Sequence, residues 1–205
     1  MTEEKGFKHW FENVFWYHYK WWFLLGVFII ALIVFISLES SRNEHYDLTA
    51  VFVQDNDITQ EQAMTVLDAI SESVGDLDGN GKILLNYASI NPGEATSGSV
   101  GASMQDRLLL YMTDEDYCLF FLTADQAESY CALGYFEDRL SDYGIETAQD
   151  DPFRVYVSDT DAFAAAGLRD GDYYALIIDW TTVGKGSQEN TDAAVRAIQA
   201  LLNGD

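Results

Sequence analysis

Histidine is missing from most of this chain, and that absence limits its chemistry. His9, His18 and His45 all lie at the start, so residues 46–205 contain no histidine. Such a segment cannot run Ser-His-Asp or Cys-His catalysis and cannot hold a histidine zinc site. It also lacks a P-loop and a G-x-G-x-x-G sequence, which excludes the nucleotide-binding loops that those motifs form.

Basic residues and prolines are scarce as well. The 205 residues include 11 Lys and Arg against 34 Asp and Glu, with a net charge of −23. Residues 1–45 carry four basic and five acidic residues, which leaves −22 on residues 46–205. This balance argues against a nucleic-acid partner, whose phosphates require a basic surface. Only two prolines and 48% hydrophobic residues exclude a disordered or collagen-like chain and predict one folded domain with an appendage.

The longest apolar run predicts a membrane anchor. Trp21–Leu38 is eighteen residues long and has no charged residue. At about 1.5 Å per residue, a helix of this length is close to the hydrocarbon thickness of a bilayer, about 30 Å. The following Glu39-Ser40-Ser41-Arg42 does not resemble a signal-peptide cleavage site. We therefore expect an uncleaved transmembrane helix over 21–38, with the lipid bilayer as its partner.

The residues around this run predict its orientation. Lys5, Lys8 and Lys20 precede the run and only Arg42 follows closely, so the N-terminus is expected in the cytoplasm and the C-terminal domain outside. Apolar residues recur at helical spacing from Phe7 to Phe15, which predicts an amphipathic helix in the headgroup layer within residues 1–20. Residues 39–45 form a short polar stem before the acidic domain, 46–205.

The domain sequence alternates strand and helix patterns. Five apolar runs predict the strands: Leu48–Val53, Ile83–Leu85, Cys118–Leu122, Val155–Val157 and Ala175–Trp180. Thr59 with Gln62, and Thr123 with Gln126, have capping-box spacing at the start of helices, and the last helix is expected to stop at Asn203-Gly204. The alternation predicts one open, mostly parallel, doubly wound Rossmann-like α/β sheet with helices on both faces.

The most specific local motif is DLDGNGKI, which is typical of a calcium loop. Asp76, Asp78 and Asn80 occupy positions 1, 3 and 5, where alternate side chains direct oxygen atoms at one ion, and Gly81 allows the sharp turn at position 6. Position 12 is Tyr87, so the remaining ligand would come from elsewhere or from water. The candidate metal-binding residues are Asp76, Asp78, Asn80 and Lys82, and the candidate cofactor is calcium. Asp-Gly and Asn-Gly pairs also form ordinary turns, which is the alternative.

A second motif raises an enzymatic alternative. Asp55, Asp57 and Thr59 form a D-x-D-x-T sequence after the first strand, similar to the one in haloacid-dehalogenase-like phosphatases, which use two carboxylates and magnesium. Thr123 and Asp179 could match later motifs of that family. Gln54 intervenes between the strand and Asp55, and no lysine lies between Thr123 and Asp179. The family's pattern is therefore incomplete.

Cys118 and Cys131 leave two arrangements open. A disulfide is chemically permitted outside the membrane. However, a helix packs about 10 Å from a sheet, whereas bridged Cα atoms lie within about 7 Å. Two separate thiols are the favoured interpretation.

Three segments together resemble a known kind of protein. They are FWYHYKWWFLL before the span, DLDGNGK before a strand, and CLFFLTADQAESYCALGYFEDRL. They are similar to uncharacterised single-pass bacterial membrane proteins whose outer domain resembles one lobe of a type II solute-binding protein. The resemblance implies a bacterial cell membrane location and the α/β fold. A complete solute-binding protein closes two lobes on its ligand, and about 160 residues make one lobe.

The sequence therefore favours a membrane-anchored, non-catalytic binding or interaction module with an unknown protein or small-solute partner. Open α/β sheets bind ligands at the carboxyl ends of their strands. The candidate ligand-binding residues at this rim are Asp55, Asp57, Thr123, Asp125, Asp159 and Trp180. A magnesium-dependent phosphatase and a structural envelope protein are the alternatives, and in the latter the acidic domain would repel anionic polymers.

Overall fold

A computed structural model describes residues 16–40, 45–54, 57–92, 99–114, 116–147, 151–180 and 187–204, with side chains except at 16–20, 37–40 and 99–104. The chain divides into two compact units, Met1–Glu44 and His45–Asp205. Residues 1–15, which carry most of the expected interfacial helix, and residues 41–44 of the stem lie outside the described residues.

The described part of the first unit is a long helix, α1, over Trp16–Ser40. Its described apolar side chains are largely exposed, with Trp21 at 74% and Trp22 at 72%. Every residue from 21 to 36 is apolar, so this part of α1 has no polar face. Among the described residues, no helix has both the length and the hydropathy needed to cross a membrane.

The second unit is a mixed α/β domain, as predicted. Its strands are β1 (Leu48–Val53), β2 (Leu85–Ile90), β3 (Tyr117–Thr123), β4 (Val155–Tyr156) and β5 (Tyr173–Ile177). Its helices are α2 (Gln60–Val74), α3 (Ser99–Met112), α4 (Ala124–Cys131), α5 (Asp161–Ala165) and α6 (Gln188–Asn203). Short 3-10 helices cover Leu140–Tyr143 and Arg169–Gly171.

The strands form one five-stranded sheet in the order β2-β1-β3-β5-β4. β1 pairs in parallel with β2 and with β3. β5 pairs antiparallel with both β3 and β4, so it runs against the other four strands. The sheet is therefore mostly parallel, and the reversal of β5 changes which residues share an edge of the sheet.

The core lies around β1 and β3, the central strands. All six residues of β1 are buried, which requires cover on both faces of the sheet and explains its continuous apolar sequence. Phe121 of β3 packs against Phe52 of β1 with ring centres 5.0 Å apart, and against Phe163 of α5 at 5.3 Å. The edge strand β2 is only partly buried, and its sequence LNYASI mixes polar and apolar residues accordingly.

The two longest helices of the domain begin or end as the sequence predicts. Thr59 caps α2 with a complete capping box, in which its hydroxyl accepts from the Gln62 N–H and the Gln62 side chain accepts from the Thr59 N–H. α6 ends at Asn203, and Gly204 follows with φ of 71°. The capping box predicted at Thr123 is wrong, because this residue precedes α4 but makes no side-chain capping hydrogen bond.

Candidate metal site

The DLDGNGK segment forms a tight loop that its first aspartate organises. The Asp76 carboxylate accepts hydrogen bonds from the backbone N–H groups of Gly79 at 2.8 Å, Asn80 at 3.1 Å and Gly81 at 2.7 Å. Gly79 and Gly81 have φ of 71° and 81°, a left-handed conformation that favours glycine because it lacks a Cβ. The Gly81 amide contributes most to lowering the pKa of Asp76 below its ordinary value. The carboxylate therefore stays ionised in the folded loop.

The next two polar residues of the motif continue the same pattern. Asp78 accepts from the Asn80 backbone N–H at 2.9 Å and from its side-chain amide at 2.6 Å. The Asn80 side-chain oxygen in turn accepts from the Lys82 N–H at 2.8 Å. The bond from Lys82 uses one lone pair of the Asn80 oxygen, and the Asn80 N–H, which donates to both Asp76 and Asp78, links the two carboxylates.

A third carboxylate comes from outside the motif. Asp47 directly precedes β1 and is only 7% exposed. One carboxylate oxygen accepts from the N–H groups of Leu77 at 2.7 Å and Asp78 at 3.3 Å, and the other accepts from Leu84 at 2.7 Å. These hydrogen bonds therefore connect both ends of the loop to the residue just before the central strand β1.

Asp47, Asp76 and Asp78 together could hold a metal ion. One oxygen atom from each carboxylate lies within 4.8 Å of the other two, with Asp47 buried and the other two exposed. Hard cations such as Ca²⁺ and Mg²⁺ prefer oxygen ligands of this kind. Within the described residues, this is the only group of three or more His, Cys, Asp or Glu side chains close enough to share an ion.

A shallow cavity of about 240 Å³ adjoins this triad. Asp47 and Asp78 line it together with Asp116, just before β3, and Glu189, in the first turn of α6. The four carboxylates give the cavity a negative charge. It lies where β1 and β3 begin, so this edge of the sheet is opposite to the rim that the sequence predicts as the binding site.

The predicted rim residues fall into three groups. Asp55 lies outside the described residues. Asp57 follows β1, Thr123 ends β3, Asp125 is in the first turn of α4 and Asp159 follows β4, so these four lie beyond the carboxyl ends of strands that run in one direction. Asp159 pairs with Arg169 at 3.5 Å on the surface. Their role in ligand binding stays a prediction.

Trp180 lies at the other edge of the sheet, and its predicted position is wrong. It follows β5, whose antiparallel direction brings the Ile178 N–H to the Cys118 carbonyl at 3.1 Å, near the start of β3. Thr123, at the end of β3, instead pairs with Tyr173 at the start of β5. The sequence suggested a common rim because it assumed that β5 runs parallel to its neighbours.

The same reversal separates the residues of the phosphatase alternative. Asp179 follows Ile178 and lies beside the start of β3, where its N–H donates to the Tyr135 carbonyl. Thr123 is at the far end of β3, which at about 3.3 Å per residue places the two about 20 Å apart. A phosphatase needs these groups around one phosphoryl group, so the structure does not assemble the arrangement that the motifs suggested.

The cysteines are separate thiols, as the favoured interpretation had it. Cys118 is fully buried, and burial raises the pKa of its thiol to about 12, although the neighbouring Trp180 side chain and the Ile178 amide act in the opposite direction. Burial also raises the pKa of Cys131 to about 11, with a further contribution from Asp151. Thiolates are therefore scarce at neutral pH, and neither residue suits nucleophilic catalysis.

Sequence reasoning missed Asp47, although it is the most buried member of the triad. The position that normally completes a calcium loop is Tyr87, and in the structure this residue lies in β2 opposite Ala50 of β1. Asp47 is 29 residues before Asp76, too far for any spacing rule. The available signal was the parallel pairing of β1 with the strand after the loop, because this pairing brings the residue before β1 beside the loop.

Comparisons with known proteins leave the chain without an assigned family. No family model matches it, and searches of curated proteins and of solved structures found no significant match.

Proposed function

We propose that this protein is a membrane-anchored, non-catalytic binding or interaction module whose outer α/β domain holds a calcium ion at Asp47, Asp76 and Asp78. The observation that carries the proposal is the convergence of these three carboxylates. The Asp76 and Asp78 side chains are exposed, so an ion can reach them from solvent. The cation would neutralise part of the negative charge of the three carboxylates.

The loop motif and the oxygen ligands of the triad are the grounds for proposing calcium. The ligand atoms lie within 4.8 Å of one another. The loop that carries Asp76 and Asp78 matches a calcium loop at positions 1, 3, 5 and 6, which is the reason for proposing calcium. Zinc prefers nitrogen and sulfur ligands, and this triad consists of carboxylates alone.

The bound ion would stabilise the fold, and the cavity beside it would accept a cationic partner. Asp47 already connects the start of β1 with Leu77 and Leu84 through hydrogen bonds, and an ion shared with Asp76 and Asp78 would reinforce the same connection. The adjacent cavity is lined by four carboxylates, so it suits a cationic group of a solute or protein better than an anionic one.

The test of the cation site is thermal unfolding of the full chain in nonionic detergent, recorded in calcium, in magnesium and in chelator. At one hundred times its dissociation constant, a ligand of the folded state adds about 2.7 kcal/mol of stability. For a domain of this size, each kcal/mol raises the Tm by about 2–4 °C. We expect the increase with calcium in the unmodified chain and not in the Asp76→Asn/Asp78→Asn double variant.

Asp116→Asn is the matched control, because Asp116 lines the cavity but is not part of the triad. It should keep the calcium response. An unchanged Tm in calcium, with no heat of binding in calorimetry, would refute the cation site. An equal or larger response to magnesium would refute the assignment to calcium.

Anchoring in the bacterial membrane rests on the sequence of α1 and its surroundings. The uncharged run Trp21–Leu38 is two residues longer than the stretch of α1 whose side chains are described, and the described part is apolar on every side. Lys5, Lys8 and Lys20 before the run favour a cytoplasmic N-terminus and an outer domain. The same arrangement is expected from the resemblance to single-pass proteins with a solute-binding-like domain.

Vesicle flotation tests the anchor. The full chain should float with neutral phosphatidylcholine vesicles and stay with them after alkaline carbonate washing. A chain that begins at His45 is the control and should remain in the dense fraction, since the acidic domain has no comparable apolar run. Recovery of the full chain in the wash would contradict the anchor while leaving the calcium result unaffected.

A further inference from the structure

We draw no further inference here: the strongest candidate, the cavity of about 160 Å³ at the amino-terminal end of α6 that Arg139, Trp180 and Thr191 line, shows nothing that points to a ligand, because the Arg139 guanidinium is already paired with Glu137 and the buried Trp180 side chain lies against the Cys118 thiol.

Discussion

The Asp47 carboxylate accepts a hydrogen bond of 2.7 Å from the backbone N–H of Leu84, 37 residues further along the chain. The Asp47 backbone N–H donates to the Leu84 carbonyl at 2.8 Å, so the two residues bond to each other twice. This pair closes the loop of the candidate metal site just before β1 and β2 begin to pair. The site and the sheet therefore depend on the same contact.

Replacing Asp47 should destabilise the domain even without calcium. Asp47→Ala removes the acceptor of three backbone N–H groups, and unsatisfied donors that stay partly buried cost about 1–3 kcal/mol each when water cannot reach them. We expect a loss of about 2–4 kcal/mol in the free energy of unfolding, measured by urea denaturation in chelator. Asp116→Ala, an exposed residue at the same edge, should change it by less than about 0.5 kcal/mol. Equal effects of both substitutions would show that the Asp47 hydrogen bonds contribute little.

The two threonines with capping-box spacing should respond differently to the same substitution. Thr59→Ala removes a capping box that is formed, and loss of such a cap costs about 1 kcal/mol. Thr123→Ala removes no capping hydrogen bond and should cost less than about 0.5 kcal/mol. Urea denaturation of the two variants gives the comparison directly. A larger loss for Thr123→Ala would contradict the difference between the two helix starts.

The buried thiols should make stability fall at alkaline pH. The pKa of Cys118 is raised to about 12 in the folded state, whereas an unfolded cysteine titrates near 8.5. The folded state thus keeps its proton where the unfolded state loses it. The resulting stability is present below about pH 8.5 and is lost as the pH rises towards about 12. A Cys118→Ala variant should show a shallower alkaline decrease in Tm than the unmodified chain, and an equal slope would refute the contribution of this thiol.

Alkylation gives an independent measurement of the same burial. In the Cys131→Ser variant, Cys118 should react with iodoacetamide near pH 8 only as fast as the domain opens, and it should react rapidly in concentrated urea. Cys131, which is half-buried, should react before Cys118 in the unmodified chain. Rapid labelling of Cys118 under native conditions would contradict its complete burial beside Trp180.

The strands were predictable where their environment imposes one pattern. β1 is buried along its whole length, and its apolar sequence predicts the observed bounds, Leu48–Val53, without error. β2 was expected at Ile83–Leu85 but lies at Leu85–Ile90. As a half-buried edge strand, it carries Asn86 and Ser89, so it has no continuous apolar run to mark its position.

Most of the features that could be predicted from the sequence depend on neighbouring residues. Three of them rely on hydrogen bonds between residues at most five positions apart: the capping box at Thr59, the turns of Asp76 and Asp78, and the helix end at Gly204. Residue type and spacing make such bonds possible because the chain cannot place these groups far apart, but Thr123 has the same spacing as Thr59 and forms no capping hydrogen bond. The mixed α/β class follows from the alternation of strand and helix patterns in the same way.

Contacts between distant residues depend on the tertiary structure. The direction of β5 places Trp180 and Asp179 beside the start of β3 and away from Thr123, although the apolar sequence of β5 is compatible with either direction. The parallel pairing of β1 with β2 brings Asp47 to the loop of Asp76 and Asp78. Strand order and direction result from packing of the whole sheet, so the third carboxylate of the candidate site has no signature in its own neighbourhood of the sequence.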